Sequence, residues 1–135
     1  MRKPRETSRI VIQKMLGYCD DIQNLRTRYD DSFERYVSDI AFRYACDMCI
    51  LQIGELTTRL SDDFKAQHAD VPWRLIKSMR NIHVHEYENV EFDTVWKTLT
   101  EDIPTLKSHL EKILAAEEAT QCQLKQKSER SPSAG

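Results

Sequence analysis

The stretch SDIAFRYACDMCILQIGELTTRLS, residues 38–61, decides the fold class of this chain. Its apolar side chains recur at helical intervals, so we predict one long helix that begins at about Ser38, the expected N-cap, with Asp39 behind it, and runs as far as Ser61. Gly54 lies within this apolar seam, where it permits close packing of another helix. The seam consists of Ala41, Ala45, Met48, Cys49, Ile53, Leu56 and Leu60.

The remainder of the chain also favours helices. The 135 residues are 40% hydrophobic and 31% charged, and they include only three glycines and four prolines, which suits one helical domain with one core. We predict further helices over about residues 5–28, from Val71 with Asp70 as its cap, and from Phe92 or Asp93 onward. Pro104 should kink or restart the last helix. The expected fold is an all-α, up-and-down bundle of four or five helices.

The apolar spacing predicts which residues of the later helices face the core, and where the domain ends. On the third helix, we expect Val71, Leu75, Met79 and Ile82 to form the core face. From Glu117 onward the apolar spacing decays into Gln, Lys, Ser and Pro. We therefore predict a helical domain over residues 1–116 and a polar, disordered tail over residues 117–135.

Composition excludes several classes of protein. The formal net charge of −2 does not indicate a nucleic-acid-binding protein, so any RNA contact must come from a local patch. The sequence has no apolar run long enough to span a membrane, and we expect a cytoplasmic protein with reduced cysteines. Cys46 and Cys49 form a single CxxC, and His83 and His85 are the candidates for the other half of a metal site, but without a second CxxC we expect no metal site.

The chemistry of the chain is concentrated in Arg80-Asn81-Ile82-His83-Val84-His85-Glu86-Tyr87. The spacing is Arg-x4-His-x-Tyr. Arginine grips phosphate oxygens with a permanent planar cation, histidine moves a proton near pH 7, and tyrosine offers a hydroxyl. The motif therefore indicates chemistry on a phosphate ester.

On an unbroken α-helix, Arg80 and His85 lie roughly 140° apart and cannot grip the same phosphate. Either the helix ends or bends just after Arg80, or the motif of a second subunit completes the site across a two-fold interface. We favour a homodimer. On an unbroken helix His83 is the better-placed partner of Arg80, so the choice between His83 and His85 stays open on geometry alone.

Other polar residues have both a functional and a structural interpretation. Glu55 either orients Arg80 or stays solvated at the edge of the seam. Asn81 either holds backbone or phosphate, or makes surface hydrogen bonds. Trp73, Arg74 and Lys77 are candidates for an RNA-facing platform, although Trp73 beside Pro72 is also typical of a packing anchor.

Across most of its length, from about Ile10 to Ile113, the chain resembles the HepT family of the HEPN superfamily. The resemblance rests on Ile53-Gly54-Glu55, Val71-Pro72-Trp73-Arg74, Met79 to Tyr87, Val95-Trp96 and Ile103-Pro104-Thr105-Leu106. It implies a helical bundle that dimerises around facing Arg-x4-His motifs, and a metal-independent RNase that is the toxin of a toxin-antitoxin pair. The partner implied is a minimal nucleotidyltransferase antitoxin, which silences the toxin by AMP transfer to the motif's tyrosine.

Carried onto this sequence, the resemblance makes Arg80 and His85 catalytic and Tyr87 the site of modification. It favours His85 over His83, and no cofactor is expected. Two alternatives stay open. The first is a noncatalytic HEPN module that presents Tyr87 or a nucleotide-binding cleft to a nucleotidyltransferase, and the second is a structural bundle in which the motif only seals a dimer interface.

Overall fold

The structure, a computed structural model, describes residues 7–83 and 92–129, and nearly all of them are helical, without a strand. This confirms the all-α prediction. The helices are α1 Ser8–Arg28, α2 Phe33–Ser38, α3 Ile40–Thr57, α4 Asp62–Gln67, α5 Trp73–Ser78, a 3₁₀ helix Met79–His83, α6 Phe92–Lys97, a π-helix Thr98–Asp102 and α7 Ile103–Glu129.

Side-chain caps set the starts of the first four α-helices. Thr7, Ser32, Asp39 and Ser61 each accept a hydrogen bond from the backbone N–H three residues later. The predicted cap at Ser38 was wrong by one residue, because Ser38 ends the short helix α2 and Asp39 caps α3. Helices α2 and α4 were not predicted, since six residues are too few to show a periodic pattern.

The turn after α1 contains Asp30 and Asp31 and leads to Ser32, the N-cap of α2. Asp30 and Asp31 have positive φ values of 60° and 50°, a conformation that aspartate tolerates better than most residues. Arg26 donates two hydrogen bonds to the Asp31 carboxylate, at 2.8 and 3.0 Å. These two hydrogen bonds stabilise the turn, after which α2 and α3 run back along α1.

Helix α1 is central and runs antiparallel to both long helices. Near the end of α1, Tyr29 stacks on Phe42 at the start of α3, with ring centroids 4.4 Å apart. Against α7, Lys107 bonds Asp20 at 2.9 Å, whereas Arg9 bonds Gln121 at 3.0 Å. Residue numbers therefore rise along one helix as they fall along the other, as predicted for an up-and-down bundle.

The core joins all of these helices through one apolar cluster. At its α2 side, the buried Tyr36 hydroxyl donates to the Asp47 carboxylate at 2.7 Å. Burial and this hydrogen bond raise the pKa of Tyr36 above its ordinary value. The fully buried side chains are Val11, Ile12, Met15, Ile22, Tyr36, Phe42, Cys46, Ile50, Ile53, Thr57, Leu99 and Leu110.

Two predictions for the third helix were wrong. Asp70 does not cap α5, whose N-cap is Pro72 without a side-chain hydrogen bond; the Asp70 carboxylate lies 3.6 Å from His109 Nδ1 instead. Leu75 is exposed and Ile76 is buried, because Val71 precedes α5, which begins only at Trp73, so the spacing from Val71 to Leu75 does not follow the rotation of an α-helix. Val71 and Met79 are buried as predicted.

The predicted interruption near Pro104 is confirmed, and it takes the form of the π-helix. Pro104 has no N–H to donate within the helix. Just before it, the Ile103 N–H bonds the carbonyl of Thr98, five residues back. The wider turn joins α6 to α7 without a loop and keeps Leu99 and Ile103 in the core.

The disordered tail predicted from residue 117 is not observed up to Glu129, because α7 continues that far. Glutamate, glutamine and lysine dominate this stretch and favour helix even without burial. Arg9 also tethers it, through Gln121 and through Glu118 at 3.7 Å. Residues 130–135 lie outside the described residues, and the domain boundary at residue 116 stays a prediction.

Among the described residues, we find no helix that is both long and apolar enough to cross a membrane.

Candidate active site

Arg80 is positioned by the close approach of the 3₁₀ helix to α3. Gly54 makes that approach possible: a Cβ added to it would lie 2.7 Å from the backbone N of Arg80 and 3.0 Å from its Cβ. The first distance is shorter than Cβ atoms tolerate, and the second is tighter than most Cβ contacts in proteins. The prediction that Gly54 permits close packing is therefore confirmed, and the element that it admits carries the motif arginine.

Glu55 follows directly and pairs with the same arginine. Its Oε1 lies 3.8 Å from Nη1 of Arg80, and the two side chains remain 49% and 38% exposed. This geometry matches the interpretation in which Glu55 orients Arg80. The contact is too exposed to add much stability, and an orienting role of Glu55 stays a prediction.

The backbone around Arg80 is not an unbroken α-helix. The α-helical part ends at Ser78, and residues 79–83 form the 3₁₀ helix. The predicted change of geometry is therefore present, although it begins before Arg80 rather than just after it. The 140° separation calculated for an ideal helix does not apply to this segment.

The remaining motif residues are only partly described. Asn81 is exposed, which leaves its amide open to either predicted role. His83 ends the 3₁₀ helix, but its side chain is outside the described part of the structure. His85 and Tyr87 lie outside the described residues, so the choice between His83 and His85 stays a prediction.

Of the three candidate RNA contacts, Arg74 and Lys77 are exposed on α5. Trp73 is partly buried: its indole N–H donates to the carbonyls of Lys65 at 3.2 Å and His68 at 3.0 Å, and its ring lies near Phe64. These contacts favour the packing-anchor interpretation of Trp73. With Arg80, the two exposed cations give a local positive patch on a chain of near-neutral charge.

An exposed apolar stripe on α3 was missed by the sequence reasoning. Ile40, Tyr44 and Met48 are spaced by four residues and are 55%, 58% and 54% exposed. Met48 had been assigned to the core seam, as had Ala41, which is also exposed. Glu55 follows Met48 by two helical turns, so the stripe and the Glu55–Arg80 pair share one face of α3. The four-residue spacing of large apolar side chains was the signal available in the sequence.

The cysteines do not assemble a site. Cys19, Cys46 and Cys49 are buried in the core, and burial raises the pKa of Cys19 and of Cys46 to about 12 and that of Cys49 to about 11. A thiol with so high a pKa is a poor nucleophile and a poor metal ligand near neutral pH. Within residues 7–83 and 92–129, no group of three or more His, Cys, Asp or Glu side chains is arranged to hold a metal ion.

The family model described as "Ribonuclease HepT-like" matches residues 15–113. A Methanocaldococcus jannaschii protein named a "Putative RNase" is 30% identical over 82% of this chain and 94% of its own length. A Thermococcus cleftensis protein named "Probable ribonuclease HepT" is 37% identical over 60% of this chain and 74% of its own.

A third relative, from Caldanaerobacter subterraneus subsp. tengcongensis and also named a "Putative RNase", is 29% identical over 87% of this chain and 99% of its own. No solved structure gives a significant match. The family match covers α1 from Met15, all of α3, the Gly54–Arg80 approach and α7 as far as Ile113. This chain belongs to the ribonuclease HepT-like family of HEPN proteins.

Proposed function

We propose that this protein is a metal-independent endoribonuclease that acts as the cytoplasmic toxin of a type VII-like toxin-antitoxin pair. The observation that carries the proposal is the placement of Arg80, which Gly54 admits against α3 and Glu55 orients at the surface. An oriented guanidinium beside the exposed cations Arg74 and Lys77 suits a phosphate diester. Membership of the family and the names of its relatives support RNA as the substrate.

The proposed reaction uses the nucleophile that RNA itself carries. A histidine, His85, accepts the proton of the ribose 2′-hydroxyl while that oxygen attacks the adjacent phosphorus. The bond to the 5′-oxygen breaks, and that oxygen takes a proton from a second histidine, His85 of the other copy in a dimer. Arg80 stabilises the charge of the phosphorane. The products are a 2′,3′-cyclic phosphate and a 5′-hydroxyl, and DNA is spared.

The test is RNA cleavage in EDTA by protein whose intact mass shows no attached AMP. We expect cleavage without added metal and products that end in a cyclic phosphate. A 3′-hydroxyl product, or cleavage that requires magnesium, would exclude this mechanism. Complete absence of cleavage by unmodified protein would instead support a noncatalytic HEPN module that a nucleotidyltransferase recognises.

Dimerisation is supported by the stripe of Ile40, Tyr44 and Met48. Exposed apolar side chains in a continuous row are typical of interaction surfaces. A second copy seated there in two-fold symmetry covers both stripes and places two Glu55–Arg80 pairs along the rim of one interface. The two copies together then supply the second histidine that the reaction requires.

Met48→Glu is expected to raise the dissociation constant of the dimer about tenfold or more, because it places two carboxylates in an apolar interface. Sedimentation velocity across a concentration series measures this constant. Leu124→Glu is the matched control, since Leu124 is an equally exposed apolar residue, 62% accessible, on α7. An unchanged dimer in Met48→Glu, or an equal loss in Leu124→Glu, would contradict the proposed interface.

We propose that AMP transfer to Tyr87 by the nucleotidyltransferase antitoxin silences the enzyme. A phosphate attached there neutralises Arg80, and the adenosine obstructs access to the phosphate-binding position. Tyr87→Phe should retain RNA cleavage within about twofold and accept no AMP, because phenylalanine lacks only the hydroxyl. Intact mass after incubation with the partner and ATP, followed by a cleavage assay, measures both. Loss of cleavage in this variant would make the tyrosine catalytic, and an AMP mass on it would place the modification elsewhere.

A further inference from the structure

Two exposed cations on α5 have no counter-charge among the described residues. Arg74 and Lys77 are both exposed, and within residues 7–83 and 92–129 neither takes part in an ion pair or a side-chain hydrogen bond. The carboxylate nearest to Arg74 along the chain is that of Asp70, which lies 3.6 Å from His109 Nδ1 on α7 instead. No described side chain therefore neutralises the positive charge of this helix.

The backbone that carries these cations is held in place on its inner side. Ile76 is buried in the core. The indole N–H of Trp73 donates to the carbonyls of Lys65 and His68, and these bonds anchor the start of α5. The 3₁₀ helix that follows α5 lies against Gly54 of α3. Charges on an element that is fixed at both ends can position a ligand more precisely than charges on a loop.

Arg74, Lys77 and Arg80 form a cation row, with one positive charge at every third residue. An α-helix turns about 100° per residue and a 3₁₀ helix about 120°, so each cation lies roughly 40° to 60° around the axis from the next. A rise of about 1.5 to 2.0 Å per residue separates neighbouring cations by roughly 4.5 to 6 Å along the axis. Phosphates of one nucleic-acid strand are about 3.4 Å apart along a duplex and farther apart when the strand is extended. The long side chains of the cation row can therefore contact consecutive phosphates.

The same surface offers little for a base. An unpaired base is recognised by stacking on an exposed aromatic ring and by hydrogen bonds to its edges. Trp73, the aromatic residue of α5, is partly buried, and its ring centroid lies 6.4 Å from that of Phe64. The exposed neighbours of the cations are Leu75 and Ser78, and the Ser78 hydroxyl donates to the Leu75 carbonyl at 2.6 Å. The surface of α5 is therefore suited to phosphate rather than to a base.

We propose that Arg74 and Lys77 bind the two phosphates next to the scissile phosphate, which Arg80 contacts, and that they hold the RNA strand by its backbone without reading its bases. The inference rests on the proposed ribonuclease function and adds the residues that position its substrate. Phosphate contacts fix the register of a nucleic acid but carry no sequence information. Any base preference of the cleavage then comes from residues outside the cation row.

The double variant Arg74→Gln/Lys77→Gln tests the proposal. The probe is a fluorescent single-stranded oligoribonucleotide with 2′-O-methyl groups, which binds without being cleaved, and anisotropy measures its dissociation constant on protein free of AMP. We expect this constant to rise about three- to tenfold, because two exposed ion pairs are lost. The slope of log affinity against log salt should fall in magnitude by about 1.4, which is about 0.7 for each phosphate contact with a single strand. An abasic strand of the same length should show the same fold-change, because the lost contacts do not involve the bases.

The matched control is Arg28→Gln/Lys112→Gln, which removes the same formal charge at two exposed residues of α1 and α7 that likewise have no partner among the described residues. It should leave the dissociation constant and the salt slope unchanged. Both double variants should melt at the wild-type temperature, because glutamine is a good helix former. In the cleavage of unmodified RNA, Arg74→Gln/Lys77→Gln should raise KM and leave kcat within about twofold, as expected for contacts made equally in the bound substrate and in the transition state.

The ribonuclease function and the cation row fail in different ways. Unmodified wild-type protein that neither binds nor cleaves RNA overturns both. If wild-type protein cleaves RNA, undiminished affinity of Arg74→Gln/Lys77→Gln, or a loss equal to that of the control variant, overturns the cation row alone. A smaller loss on the abasic strand overturns the claim that bases are not read. Loss of binding to the nucleotidyltransferase partner with unaltered RNA affinity also overturns the proposal, since the two cations would then serve that protein.

Discussion

Arg80→Ala should lower kcat/KM for RNA cleavage by about 10²- to 10³-fold while leaving the protein folded. That magnitude is typical for removal of one group that stabilises charge developing in a transition state. Stability should change by about 0 to 1 kcal/mol at most, because the pair with Glu55 is long, 3.8 Å, and partly solvated. Initial rates on a defined oligoribonucleotide, together with thermal melting, separate the two effects.

Arg9→Ala is the matched control. Arg9 lies 3.7 Å from Glu118 and is 36% exposed, against 3.8 Å and 38% for Arg80 and its carboxylate partner. Each substitution therefore removes a cation of similar exposure that has one carboxylate partner, in α1 for Arg9 and in the 3₁₀ helix for Arg80. Equal losses of cleavage would show that net charge, rather than the position of Arg80, governs the reaction.

Two further variants show how Arg80 acts. Arg80→Lys keeps the charge but loses the planar fork that grips two phosphate oxygens, so it should recover only part of the activity. Glu55→Gln keeps the shape of the side chain but removes the charge that orients the guanidinium. A positioning role for Glu55 predicts a smaller loss than Arg80→Ala, seen mainly in kcat, and no further loss when both substitutions are combined.

The sequence allowed the helical class, the antiparallel arrangement and the pairing of Glu55 with Arg80 to be anticipated. The first two follow from the periodic spacing of apolar residues over long segments. A wrong assignment of one residue does not change these predictions, because many residues contribute to the pattern. The pairing of Glu55 with Arg80 was one of two open interpretations, since a carboxylate beside an apolar seam either forms an ion pair or stays solvated. Only the approach of the 3₁₀ helix to α3 distinguishes them.

The errors have two physical origins. Leu75 was assigned to the core face by assuming one helical rotation from Val71 onward, but Val71 precedes α5, which begins at Trp73. Met48 was assigned to the core because an apolar side chain on a largely buried helix is usually inside. Met48 is exposed together with Ile40 and Tyr44, in the row that we propose as the dimer interface, and periodicity within one chain does not reveal such a surface.

Gly54→Ala is expected to reduce RNA cleavage by about tenfold to 10²-fold through a single added methyl group. The new Cβ would lie 2.7 Å from the backbone N of Arg80, so the 3₁₀ helix must move away from α3. A displacement of about 1 Å in a positioning element is enough for a loss of that size. Arg80 itself remains present and charged, so the loss reports its position alone.

The stability of the Gly54→Ala variant must also be measured, because general destabilisation would be another cause of lost cleavage. Overpacking against the Arg80 backbone costs about 1 to 3 kcal/mol, of which the helix propensity of alanine returns up to about 1 kcal/mol. A Cβ at Gly17 would lie within 4 Å of no atom of the described residues, so Gly17→Ala should show only the gain in stability, which makes it the control for helix propensity. Ile113→Val, in the core of α7, should lose about 1 kcal/mol without loss of cleavage. If Ile113→Val lost as much activity as Gly54→Ala, general destabilisation would explain both losses. If Gly54→Ala cleaved RNA at the wild-type rate, the close approach of the 3₁₀ helix to α3 would not set the position of Arg80.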